Sequence, residues 1–315
     1  MALRAIRHEH PSVPIGLGEV RLLLREGRFQ RSLALIAGLS SLLSGLEVAY
    51  EHYRGSYSQR VMYSPLLVSL TLLVAGVWGA FSRRAARTVL PLMSVITIVD
   101  GLVGFAFHLR GIARKPGGWR LLVYNLIMGP PIFAPLLFAI SGYLGLLASL
   151  LRQEHEPHFG VAVRLSTFAS ALTRRGRAFE RVERQVGVGR FQRQLAVAAA
   201  ISALFSGFEA FYSHYKDNFR RWEQWTPIVL APLLFVAGIG TVWSRTVGRT
   251  LLPFVSLLTL LDGVIGTYYH ARGILRRPGG RKLPLYNLIY GPPLFAPLLF
   301  AASGFLGLLA SVVRR

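Results

Sequence analysis

Apolar residues run in long blocks along this chain, and the blocks come in two sets of four. The first set covers residues 32–50, 65–81, 88–109 and 132–151, separated by short polar, Gly-rich or Pro-rich stretches. Each block is roughly 17–22 residues, enough for a helix to cross a hydrocarbon core of about 30 Å. The second set starts near Val197, Pro227, Leu251 and Leu294. The pattern predicts an all-α polytopic membrane protein with eight transmembrane helices.

The two sets are copies. With Gly27 laid on Gly189, the chain aligns with itself to the C-terminus without a gap, and about half of the paired positions are identical. "GRFQR" at Gly27 returns at Gly189, and the "YNLIMGPPIFAPLLF" that begins at Tyr124 returns as "YNLIYGPPLFAPLLF" at Tyr286. Self-similarity of this kind marks an internal duplication. The expected domains are a first four-helix repeat with a basic N-terminal segment (1–153), a linker (154–188) and a second repeat (189–315). Four spans per copy is an even number, so both copies enter the membrane from the same side. That predicts parallel repeats related by a pseudo-twofold axis along the membrane normal.

Composition agrees with the pattern. Hydrophobic residues make up 52% of the 315, charged ones 16%, and mean hydropathy is +0.44. A soluble domain carries about 25% charged residues. The N-terminal stretch holds Arg4, Arg7, Arg21, Arg25 and Arg28 without an apolar core. No cleavable signal is therefore expected, and the first span is expected to direct insertion. The absence of cysteine excludes disulfides, thiolate ligands, iron–sulfur clusters and covalently attached haem.

The net charge of +22 sits in the stretches between apolar blocks. Anionic lipid headgroups are the expected partner there, and nucleic acid is not. One face collects 22 of the 36 Lys and Arg: both termini, the linker and the turns at Ser82 and Ser244; the other collects 14. The bias predicts a multi-pass protein with cytoplasmic N- and C-termini. It leaves "RGIARKPGGWR" at Arg110 and "RGILRRPGGRK" at Arg272 on the outer face, against the rule. Arg110, Arg114, Lys115, Arg272, Arg276 and Arg277 are thus candidates for holding an anion or a partner subunit, beside a Gly-Gly turn that exposes backbone N–H groups. In the linker, Phe168, Leu172, Phe179, Val182 and Val186 alternate with arginines at the spacing of a basic interfacial helix. "HEPH" at His155 reads as solvated linker.

Ionisable groups inside apolar blocks are few and paired between copies. They are Glu47, His52, Asp100 and His108, matched by Glu209, His214, Asp262 and His270. Glu51 is matched by Ser213 and drops out of the set. Such residues face a bundle interior or a cavity and mark functional sites. Asp100, Gly104 and His108 share one helix face, with Asp100 about 12 Å deeper than His108. Gly101 and Gly104 admit a close neighbour, so Glu47 and Asp100 are expected to face each other. His52 lies about 140° around an ideal helix from Glu47 and joins them only if the helix unwinds near Tyr50. Pro130 and Pro131 predict a short segment over 124–128 and a fourth span starting near Pro131.

Three functions follow. In the first, each half's Glu, His, Asp and His bind iron, manganese, copper or zinc, or the two histidines hold a b-type haem, for electron transfer or membrane redox chemistry. The Glu-x-x-His spacing of di-metal bundles is absent. In the second, a transporter or channel uses Asp100 and Asp262 for protons or cations. In the third, the polar groups only fix packing in a structural subunit. No phosphate loop, dinucleotide fingerprint, nucleophile elbow or His-Glu-x-x-His is present, so nothing points to a kinase or a soluble-type hydrolase.

Overall fold

A computed structural model of the chain describes residues 28–151 and 190–312. The expected linker helix, the His155 stretch and the basic N-terminal segment lie outside the described residues. Those described form helices and turns, with no strand among them.

The first half runs α1 (Arg28–Arg54), α2 (Ser64–Phe81), α3 (Arg83–Arg87), α4 (Val89–Ala113), α5 (Leu122–Ile127) and α6 (Ala134–Leu151). The second follows as α7 (Arg190–Lys216), α8 (Thr226–Trp243), α9 (Arg245–Arg249), α10 (Leu251–Leu275), α11 (Pro284–Ile289) and α12 (Ala296–Val312). Six of these, α1, α2, α4, α7, α8 and α10, belong to helical segments long and apolar enough to cross a bilayer. By length and composition this is a helical, multi-pass membrane protein. The apolar helices α6 and α12 are shorter.

Local chemistry explains where the helices start and stop. Pro65 and Pro227 sit in the first turns of α2 and α8, where no N–H is needed. Ser82 and Ser244 end those helices and accept the N–H of Ala85 and Val247, each at 3.3 Å, which starts α3 and α9. After α4 the chain turns at Gly117 and Gly118, with φ of 78° and 47°; Gly279 and Gly280 do the same at 80° and 45°. Both pairs sit in the left-handed region that suits glycine.

Within each half the last helix packs between the first and the third: α6 against α1 and α4, α12 against α7 and α10. Gly101 is where α4 meets α6. A side chain there would stand 2.5 Å from the Pro135 carbonyl, and at Gly263 equally 2.5 Å from that of Pro297. Gly101 thus admits a close neighbour, as its sequence suggests, but the neighbour is α6 rather than α1. The halves join where α6 touches α7 and α12 touches α1. The core is continuous across this seam, with Leu33, Ala37 and Leu144 on one side and Leu195, Ala199 and Leu306 on the other. Large apolar residues point outward instead: Leu67, Val74, Phe81, Val99, Val236 and Trp243 are all exposed. An apolar exterior over a core rich in Ala, Ser and Leu suits helices packed in lipid.

Candidate functional site at the seam between the halves

The short helices α5 and α11 set up the site. Each ends before a Gly-Pro-Pro, and α6 and α12 begin only at Ala134 and Ala296. The fourth apolar helix thus starts later than Pro131. Residues 128–133 stay irregular because Pro130 and Pro131 supply no N–H to a helical turn. The side chain of His108 holds this break open. Its Nδ1 donates to the Pro131 carbonyl at 2.5 Å, and His270 repeats the contact on Pro293 at 2.5 Å. A carbonyl only accepts, so Nδ1 carries the proton, and in the neutral ring Nε2 keeps its lone pair.

A helix starting this way has free N–H groups and the positive end of its dipole. Pro135 has no N–H, which leaves those of Phe133 and Ala134. Glu209 supplies their acceptor: its Oε1 takes Phe133 N at 2.7 Å and Ala134 N at 3.1 Å. Glu47 does the reverse, with Oε2 on Phe295 N at 3.1 Å and the Ala296 N–H beside it. Each glutamate therefore caps the broken helix of the opposite half. Each has a tyrosine one turn on: Tyr212 donates to Glu209 Oε2, and buried Tyr50 lies beside Glu47.

Glu47 accordingly does not turn toward Asp100. The angular offset between Glu47 and His52 explains the outcome. α1 stays helical through Tyr50 to Arg54, and the two side chains leave it on different sides. Glu47 crosses the seam, while His52 turns into its own half, its Nδ1 donating to the Met62 carbonyl at 2.8 Å. There it is close enough to Asp100 and His108 for their charges to interact. No unwinding is needed. In the second half the rings of His214 and His270 lie 6.4 Å apart and nearly perpendicular.

Asp100 accepts the Ser64 hydroxyl at 2.6 Å, and Asp262 that of Thr226 at 2.5 Å. The second oxygen of Asp100 is buried without a hydrogen-bond partner. The Glu, His, Asp and His of one half are thus divided between the seam and a pocket under α2 or α8. Among the described residues no three of His, Asp and Glu are arranged to hold a metal ion.

Further polar groups continue down the seam. Ser44 and Ser206, one turn before the glutamates, are buried with hydroxyls that have no partner. One turn deeper Ser40 meets Ser141 at 3.0 Å, and Ser202 meets Ser303 at 2.7 Å. Glu51 and Lys216, one from each half, lie near Glu209 at the mouth. The tyrosines and serines were visible in the duplicated sequence: Ser40, Ser44, Glu47 and Tyr50 fall on one helical stripe and all recur. The hydroxyl that meets each aspartate also recurs, as Ser64 in one half and Thr226 in the other.

The basic candidates sit at the same face. Arg110 and Arg272 occupy the last turns of α4 and α10, and Arg114 and Arg276 cap them. Arg110, Arg114 and Arg276 are exposed or nearly so; Lys115, Arg272 and Arg277 lie among more covered surroundings. Asn125 and Asn287 hold the loops in shape, their Nδ2 groups donating to Pro116 and Gly118 carbonyls and to those of Pro278 and Gly280. Compared with models of protein families, with curated proteins and with solved structures, the chain matches none of them.

Proposed function

We propose that this is a membrane transport protein that moves protons, or a solute coupled to them, along the seam between two parallel four-helix halves. One observation carries the reading: two carboxylates, exchanged between the halves, each cap a proline-broken helix start. Broken helices in corresponding positions of two repeats, with their N-termini at the repeat interface, are the usual setting of a transporter site. A charged carboxylate accepts from both N–H groups. Once protonated it accepts more weakly, and the capped start is freed to move. Proton uptake would thereby loosen the contact that joins the halves. The glutamates take this role in preference to Asp100 and Asp262, which are engaged by hydroxyls within their own halves.

Eight spans follow if α6 and α12 also cross. Their 18 and 17 residues rise about 27 and 26 Å, close to a hydrocarbon core of about 30 Å. Equivalent contacts in the two halves, such as Ser40–Ser141 and Ser202–Ser303, support the parallel repeat. The charge bias supports cytoplasmic termini, with the glutamates, the helix breaks and the basic loops on the opposite face.

The test is proton flux into liposomes carrying the purified protein and a trapped pH dye, driven by a potassium diffusion potential. Wild type is expected to acidify the lumen, and the pair Glu47→Gln with Glu209→Gln to abolish the flux while the protein still assembles. Flux no greater than in empty liposomes, or unchanged by the double substitution, would remove the proposal.

A second reading keeps a transition metal or b-type haem. The observation favouring it is the fixed Nδ1–H of His52, His108 and His270, which presents Nε2 as a ligand. It would rest on the imidazole pairs, without the glutamates. Stoichiometric metal in protein never exposed to chelator, lost with His108→Ala and His270→Ala, would establish it; metal-free protein would dispose of it.

A further inference from the structure

A groove lies beside the seam, where α5 of the first half meets the end of α7. Its volume is about 580 Å³, within the range of roughly 300–1,000 Å³ typical of small-molecule sites. Leu122, Ile127 and Met128 make an apolar wall, Tyr124 and Tyr215 bring phenols, and among the described residues Arg120 is its only charged lining residue. No carboxylate among the described residues lines it. Beyond the lining, Lys216 has Glu51 and Glu209 near it as well as Arg54 and Lys115, so the charge that faces the groove is that of Arg120. An inorganic anion needs the arginine but not the wall. A neutral apolar molecule needs the wall but leaves the arginine unanswered.

We propose that this groove binds one anionic phospholipid, with its phosphate on Arg120 and an acyl chain along the Leu122–Met128 wall. The position fits, because the groove opens at the end of the apolar helices, where headgroup and chain regions meet. The guanidinium fits too, since its planar fork pairs with phosphate through two parallel hydrogen bonds, a geometry an ammonium lacks. Tyr215 belongs to the second half, so the lipid would bridge the halves beside the broken helix start.

The duplication supplies an internal control. In the second half the corresponding residues are Lys282, Pro284, Tyr286, Ile289 and Tyr290, with Tyr53 the counterpart of Tyr215. The Tyr290 ring stands 4.8 Å from that of Tyr286, where the first half has only the slender Met128 beside Tyr124. Arg120 has become Lys282. Lysine in place of arginine and a second tyrosine ring on the wall disfavour the same binding in the second half, so the expected stoichiometry is one lipid per chain. This inference does not depend on proton movement.

The experiment is native mass spectrometry of the full chain, released from detergent after incubation with phosphatidylglycerol or phosphatidylcholine. One phosphatidylglycerol should be retained per chain and no phosphatidylcholine. Arg120→Ala, at an exposed position that leaves folding intact, should weaken retention about tenfold, as for the loss of a charge-assisted phosphate contact. Met128→Tyr should block it by copying the second half, and Lys282→Ala should leave it unchanged. Equal retention of both lipids, two equivalent bound lipids, or indifference to Arg120→Ala would overturn the proposal. Displacement of the lipid by millimolar inorganic phosphate would also overturn it, showing an anion site without a lipid component.

Discussion

The two halves solve one packing problem twice with about half their residues changed, and the positions of change are instructive. Where backbones come within contact, the copies agree: Gly101 and Gly263 under the fourth helix, Ser40 and Ser202 at its middle, Asn125 and Asn287 in the loop. Where side chains face outward they have drifted. Leu70 has become Pro232, Trp78 has become Gly240, and Phe81 has become Trp243. A lipid-facing position needs only to be apolar, whereas a helix crossing at close range admits one size of residue. At the seam the residues agree but their contacts differ. Glu209 accepts Phe133 N at 2.7 Å, Ala134 N at 3.1 Å and the Tyr212 hydroxyl, while Glu47 accepts Phe295 N at 3.1 Å with Ala296 N–H and Tyr50 beside it. His52 reaches the Met62 carbonyl, while His214 faces His270. The same eight ionisable residues thus give two sets of equal parts with different contact geometry.

Substitution can break this comparison, and the largest effect is expected at the glycine crossings. Gly101→Leu and Gly263→Leu each force a side chain into a neighbouring carbonyl, destabilising by about 3 kcal/mol or more. Both should abolish assembly in detergent, monitored by gel filtration. If one is tolerated, the two crossings are not equivalent. Gly104→Ala meets only Pro135 side-chain atoms, the nearest at 3.1 Å, and should assemble.

Next come the glutamates taken singly. Glu209→Gln should lower stability by about 1–3 kcal/mol, since it removes the charge from two buried N–H groups and a phenol. Glu47→Gln should lower it less. Thermal unfolding in detergent gives the order, and equal losses would show that the inequality in hydrogen bonding has no energetic weight. The smallest effect is expected at Ser44→Ala and Ser206→Ala. Each removes a buried hydroxyl with no partner, so stability should change by less than about 1 kcal/mol. Flux should nevertheless fall if water at these hydroxyls carries protons to the glutamates. An unchanged flux would confine the path to the glutamates themselves.

Much of this was legible in the chain. The apolar blocks, the duplication, the proline breaks and the short list of buried ionisable groups can each be read along the sequence without knowing which helices touch. The polar stripe of Ser40, Ser44, Glu47 and Tyr50 was legible too, because helical spacing puts it on one face. The partner of that stripe was not. Phe295 is 248 residues from Glu47, and Phe133 is 76 from Glu209. Periodicity states which residues leave a helix together but not which neighbour they meet. In a duplicated chain every group has two candidate partners, one in its own half and one in the other. The sequence by itself determined a helical membrane protein, duplicated, with paired ionisable residues near one face. Only the tertiary structure decided that the glutamates cross over while the histidines stay home. The reason is the angle between Glu47 and His52 on an unbroken α1, which sends one to the free N–H groups of the opposite half and the other to its own.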